Sequence, residues 1–122
     1  MKQIDVLVVE DSFYSADLSI RVLRKAGFNV RYKIASSSIT MREALKDQHW
    51  DLILSDNNMP GFDALQAIDI RNQSGSLAPF VIVSEHIQEI DIKKAMEKGC
   101  CAYIAKENLN RLGQQVEKIL KE

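Results

Sequence analysis

The chain has almost no excess charge of either sign: 16 lysines and arginines stand against 17 aspartates and glutamates, a formal net charge of −1. No block of basic residues is present, so there is no electrostatic footprint for direct contact with nucleic acid. Cysteine is nearly absent, and the only two, Cys100 and Cys101, are neighbours. Adjacent Cα atoms on a trans chain lie about 3.8 Å apart, short of the roughly 4.4–6.8 Å span of a disulfide. The pair is therefore expected as free, buried thiols, and with no second pair there is no zinc site. Apolar runs are short, Val6–Val9 and Phe80–Val83 among them, and none approaches the roughly 20 residues of a membrane-crossing helix. The N-terminus carries no signal-peptide apolar region, so a cytoplasmic setting without membrane contact is expected. With two prolines and five glycines, the sequence shows no linker, low-complexity tract or internal repeat.

What is present is enough for one domain: 122 residues, 46% of them hydrophobic and 27% charged. Five apolar runs, Ile4–Val9, a weaker Arg31–Ala35, Leu52–Leu54, Phe80–Val83 and Ala102–Ala105, alternate with segments of helical period. Continuous rather than alternating apolar runs suit strands covered on both faces, as in a parallel sheet. Phe13, Ala16, Ile20 and Leu23 mark one face of a first helix, closed by Lys25-Ala26-Gly27 with a cation in the last turn and glycine beyond it. Met41, Ala44 and Leu45 predict a second helix and Leu65 and Ile68 a third, ending near Ser74-Gly75-Ser76. Ile92, Ala95 and Met96 predict a fourth, stopped at Lys98-Gly99, and Leu109, Leu112, Val116 and Ile119 a last one running to the C-terminus. The pattern is (βα)5, an open α/β domain with helices on both faces of a parallel sheet.

In such a sheet, ligands bind at the carboxyl ends of the strands, near the point where strand order reverses. The first predicted strand ends in Glu10-Asp11, the third in Asp56 and Asn58, the fourth in Ser84-Glu85-His86 and the fifth in Lys106. Carboxylates gathered at one rim repel one another unless positive charge sits among them. Lys106 supplies one charge, and an oxygen-rich cluster with room for water suits Mg²⁺ as the second. With His86 the only nitrogen or sulfur ligand type near the rim, the set does not suit zinc or copper. An aspartate beside Mg²⁺, a lysine and a hydroxyl is equipment for phosphoryl transfer: a nucleophile, two neutralising charges and a hydrogen-bond donor. Taken singly, these signals are weak; Glu10-Asp11 would also suit the start of a helix, and Lys106 an ordinary surface lysine.

Jointly they resemble a response-regulator receiver domain of the chemotaxis-regulator type, over essentially the whole chain. The matching motifs are VVEDS (8–12), DLILSDNNMPGFDAL (51–65), PFVIVS (79–84) and GCCAYIAK (99–106). The resemblance implies a flavodoxin-like five-stranded parallel sheet of order 2-1-3-4-5. It implies Asp56 as phosphoacceptor, Asp11 as a direct Mg²⁺ ligand, Glu10 acting on the metal largely through water, and Asn58 contributing its backbone carbonyl. Ser84 takes the place of the switch hydroxyl and Lys106 that of the phosphate-pairing lysine. Tyr103 falls where an aromatic swings inward on activation, and His86 where phosphoryl lifetime is tuned.

Three positions depart from the family's usual pattern. Glu85 stands where a small residue is usual, and is expected to narrow the pocket and repel anionic donors. Glu107 replaces the proline after the lysine; a cis bond before a non-proline residue costs about 2.5–4 kcal/mol, so a trans bond, or a cis bond held by strain, is expected. Glu10 stands where aspartate is usual. The segment AKENLNRL (105–112) resembles receivers placed ahead of signalling domains more than those joined to DNA-binding domains.

The resemblance implies a domain over 1–122, either whole or the N-terminal part of a longer signalling protein. It would take phosphoryl from a sensor histidine kinase or phosphotransfer protein, catalysing only its own phosphorylation and slow dephosphorylation. The surface of the fourth helix, fifth strand and fifth helix would then change, toward a fused or separate output domain or a homodimer. The alternative is a receiver-like interaction module that no longer depends on phosphorylation. A Mg²⁺-dependent phosphatase would want an acid where Asn58 stands, and a flavodoxin-like cofactor binder would not place acids after the first strand.

Overall fold

The computed structural model describes residues 2–121. Five strands, β1 (Lys2–Val9), β2 (Phe28–Ala35), β3 (Leu52–Ser55), β4 (Phe80–Ser84) and β5 (Ala102–Ala105), alternate with five helices. These are α1 (Phe13–Lys25), α2 (Ser38–Asp47), α3 (Ala64–Ser74), α4 (Glu89–Glu97) and α5 (Leu112–Leu120), the last preceded by a 3₁₀ turn over Lys106–Arg111. All neighbouring strands pair in parallel, in the order β2-β1-β3-β4-β5, as the resemblance implied. Among the described residues no helix is long and apolar enough to cross a membrane.

The two-sided burial of the strands explains their unbroken apolar runs. Leu7, Val9, Ile53, Phe80 and Ile82 point to one face and pack with Met41 and Ala44 of α2, Ala67 and Ile68 of α3 and Ala95 of α4. The alternate residues Val6, Val8, Leu52, Leu54, Val81 and Val83 point to the other, against Ala16, Ile20 and Leu23 of α1 and Leu112 and Val116 of α5. Successive strand residues face opposite ways, so a strand covered on both sides can have no polar alternation.

Local sequence sets where the helices begin. Ser12 caps α1 by accepting from the Ser15 amide, while Ser37 with Thr40 and Asp63 with Gln66 form reciprocal boxes at α2 and α3; each satisfies orphan amides of a first turn. Trp50, at the corner between α2 and β3, is buried and its Nε1 donates to the Ala44 carbonyl at 2.9 Å. Where α1 and α5 cross, Gly113 lies so close to Ala26 that a Cβ added to it would stand 2.6 Å from the Ala26 Cβ.

Five expectations are corrected. The second strand starts at Phe28 rather than Arg31; as an edge strand its residues alternate between buried and exposed toward solvent, which dilutes the apolar signal. The last helix starts at Leu112, because the chain leaves β5 through the 3₁₀ turn that carries Leu109. Phe13 is 68% exposed, since it opens α1 beyond the end of β1 with no strand beneath it. Met96 is also exposed; of the fourth helix only Ala95 is fully buried. Cys100 is buried but Cys101 is exposed, because an extended chain sends neighbouring side chains to opposite sides.

Candidate functional site

The rim of the sheet forms where β1 and β3 run out together. Beyond the strands, the Glu10 amide still donates to the Ala35 carbonyl at 3.0 Å and the Asp56 amide to the Val9 carbonyl at 2.9 Å. The backbone is thus held in register while the side chains change from apolar to acidic. Glu10 and Asp56 are each only 5% exposed, and Asp11 beside them is exposed. One carboxylate oxygen from each of the three lies within 4.8 Å of the others.

Lys106, the first residue past β5, reaches into this group. Its ammonium donates to Glu10 Oε2 at 3.1 Å and stands 3.7 Å from Asp56 Oδ1. Asp56 Oδ1 is buried and has no hydrogen-bond partner, a costly condition for a carboxylate oxygen away from water. Glu10 is held above the usual carboxylate range, first by burial and then by the charge of Asp56, with Lys106 and the Ser12 amide pulling back. The site therefore holds more negative charge than its own lysine balances.

These residues line a cleft of about 260 Å³ that is also bordered by Ser12, Ser15, Asn58 and Glu85. Three carboxylates and an orphaned buried oxygen fit a hard divalent cation such as Mg²⁺, whose ligands are oxygens. Glu85 is exposed and sits at the cleft, as the sequence suggested; the His86 side chain is exposed and outside it.

Ser84, at the end of β4, is fully buried. Its hydroxyl donates to the His86 carbonyl at 3.2 Å and accepts from Asn58 Nδ2 at 3.0 Å. The same Asn58 nitrogen donates to the His86 carbonyl at 2.9 Å. Asn57 bridges the loops too: its Oδ1 accepts from the Ala64 amide at the start of α3, and its Nδ2 donates to the His86 carbonyl at 3.4 Å. Sequence reasoning missed these side-chain bonds, having considered only the Asn58 backbone; two successive amides after the acid were the available signal. Tyr103 is half-buried against the α2–α3–α4 side of the core, and its hydroxyl donates to the Ser84 carbonyl at 3.4 Å. The Lys106–Glu107 bond is trans, since no cis peptide occurs among the described residues.

Comparison with known proteins gives consistent matches. The family model described as the response regulator receiver domain matches residues 6–117. The transcriptional regulatory protein MalR of Bacillus subtilis is 37% identical over 106 residues, covering 84% of this chain and 44% of MalR. Hybrid signal transduction histidine kinase G of Dictyostelium discoideum is 27% identical over 108 residues, 86% of this chain but 3% of the kinase. The chain thus spans less than half the length of these curated relatives. The receiver domain of sensor histidine kinase PA1611 from Pseudomonas aeruginosa, solved with a magnesium ion coordinated in its active-site cleft, superposes with a TM-score of 0.79 at 21% identity. The superposition covers 98% of this chain and 99% of that one.

Proposed function

The chain belongs to the response regulator receiver domain family, whose members serve as phosphoacceptors in two-component signalling, and we propose that Asp56 is the residue that takes the phosphoryl group. The observation that carries this is the buried Asp56 Oδ1, which has no hydrogen bond although a lysine ammonium lies 3.7 Å away. A carboxylate oxygen left free of donors keeps its lone pairs for an incoming phosphorus. Asp11 and Asp56, with Glu10 through water and the Asn58 carbonyl, would hold Mg²⁺, matching the acidic cluster of the cleft. When bound, the metal neutralises charge on the transferred group.

The transfer forms an Asp56 oxygen–phosphorus bond and breaks the phosphorus–nitrogen bond of a phosphohistidine, whose imidazole leaves with a proton. That donor belongs to a sensor histidine kinase or phosphotransfer protein. Lys106, already in the cleft, pairs with the oxygens of the arriving group. Glu10 competes for this lysine until then, which keeps the ammonium at the site in the resting protein. The domain acts only on itself, accepting the group and later losing it to water.

Ser84 carries the response outward. Its hydroxyl turns to donate to a phosphoryl oxygen, and its carbonyl is the acceptor of Tyr103, so motion at Ser84 is felt on β5. The surface of α4, β5 and α5 then changes for an output domain, fused or separate, or for a second copy. Intact mass after incubation with Mg²⁺ and acetyl phosphate tests the reading. One phosphoryl adduct on the wild type and none on Asp56→Ala is expected; an adduct that survives in Asp56→Ala, or a wild type that takes neither phosphoryl nor beryllofluoride, overturns it.

A further inference from the structure

A hydroxyl has one proton, so a serine can donate one hydrogen bond at a time. In the resting structure Ser84 gives that proton to the His86 carbonyl at 3.2 Å. Phosphoryl oxygens only accept, so Ser84 must withdraw the proton from His86 before it can meet a group on Asp56. What happens at His86 and at the Ser84 oxygen then decides the cost of the turn, and both are held by Asn58. Its Nδ2 donates to Ser84 Oγ at 3.0 Å and to the His86 carbonyl at 2.9 Å. The amide cannot be reversed, because a carbonyl facing Oδ1 would set acceptor against acceptor.

We propose that the Asn58 side chain is a positioning residue that latches the Ser84 hydroxyl in its resting direction and so sets how readily phosphorylation is converted into a switch. This deepens the proposed function and rests on Ser84 being the hydroxyl that turns toward Asp56. The latch spans 26 residues of chain and joins the β3–α3 loop to the end of β4. When Ser84 turns, the bond from Asn58 to its oxygen is lost, while the His86 carbonyl keeps a donor with or without Asn58, because Asn57 Nδ2 also reaches it at 3.4 Å. The lost bond to Ser84 is therefore the net effect, and it opposes activation. Asn58 therefore acts on the equilibrium through Ser84 rather than by touching the transferred group.

The test uses Mg²⁺ with beryllofluoride as the phosphoryl mimic, on the wild type, Asn58→Ala, Ser84→Ala and the double variant. Removing the latch should tighten beryllofluoride binding by about two- to tenfold, the range that one net hydrogen bond is worth. In the Ser84→Ala background the same change should alter affinity by less than about twofold, since the partner through which Asn58 acts is gone. Amide resonances of residues 84–87 in free Asn58→Ala should lie part-way toward the wild type's beryllofluoride-bound positions. Unchanged or weaker binding in Asn58→Ala overturns the latch, as does an equal effect with and without Ser84, which would mean Asn58 works on the metal. A wild type that does not bind beryllofluoride overturns the Asp56 reading, and the latch with it.

Discussion

The Lys106 ammonium stands 3.7 Å from Asp56 Oδ1 yet gives its hydrogen bond to Glu10, 3.1 Å away. One cation is thus spread over two buried carboxylates, and the acid left without a donor is the one proposed as the phosphoacceptor. Attraction to Glu10 keeps the lysine in the cleft; the weaker hold on Asp56 leaves that buried oxygen without a hydrogen-bond donor.

Removing this cation should separate its two roles. Lys106→Ala leaves the three carboxylates facing one another with no cation among them, so Mg²⁺ affinity should rise, while beryllofluoride should lose the lysine proposed to pair with it. Charge interactions at a few ångströms in a partly wet cleft are worth roughly 1–4 kcal/mol, so each change should be on the order of tenfold or more, in opposite directions. Calorimetric titration of Mg²⁺ alone, and then of beryllofluoride at saturating Mg²⁺, checks it. Weakening of both would show that Lys106 acts only by holding the cleft's shape.

Glu85 borders the same cleft and is exposed. Its charge should slow phosphorylation by small anionic donors. Glu85→Ala is expected to accept phosphoryl from acetyl phosphate several-fold faster at low salt, with the gain shrinking as the ionic strength rises and the Debye length falls below about 10 Å. Equal initial rates of adduct formation at low salt would remove Glu85 from the account of donor choice.

The adjacent cysteines should behave as two different chemicals. Cys101 is exposed, whereas Cys100 is buried and its thiol is raised above its ordinary value of 9.0, chiefly by burial. A disulfide reagent at neutral pH should label one thiol quickly and the second only on unfolding. The raised value also has a sign for stability. Above about pH 9 the unfolded thiol ionises while the buried one does not, so the unfolded state binds fewer protons and stability falls as pH rises. Cys100→Ala should remove that part of the alkaline slope in chemical denaturation, and an unchanged slope would mean the thiol is not buried in solution.

Gly113 offers a test of the α1–α5 packing that reverses the usual helix rule. Glycine to alanine inside a helix normally stabilises by about 0.5–1 kcal/mol. Here the new methyl would meet the Ala26 Cβ at 2.6 Å, and overpacking of that kind costs typically 1–3 kcal/mol. The clash should win, so Gly113→Ala should melt lower than wild type, and Ala26→Gly should recover part of the loss in the double variant. A higher melting temperature in the single variant would mean that the helices can separate freely.

Sequence alone determined the fold class, the strand order once the resemblance was recognised, and which residues gather at the rim. The reason is that burial acts along the chain at a fixed period: strands covered on both faces must be continuously apolar, so Glu10, Asp56, Ser84 and Lys106 stand out where those runs stop. Edges and ends were less legible, since the half-exposed β2 carries an alternating pattern and the 3₁₀ turn after Lys106 keeps an apolar residue at Leu109. Tertiary structure alone decided how the rim residues divide their hydrogen bonds. That Lys106 prefers Glu10 to Asp56, and that Asn58 holds the Ser84 hydroxyl, depends on distances between atoms 96 and 26 residues apart in the chain. A hydrogen bond turns on tenths of an ångström and on direction, which loop paths across the sheet set and no local pattern of residues encodes.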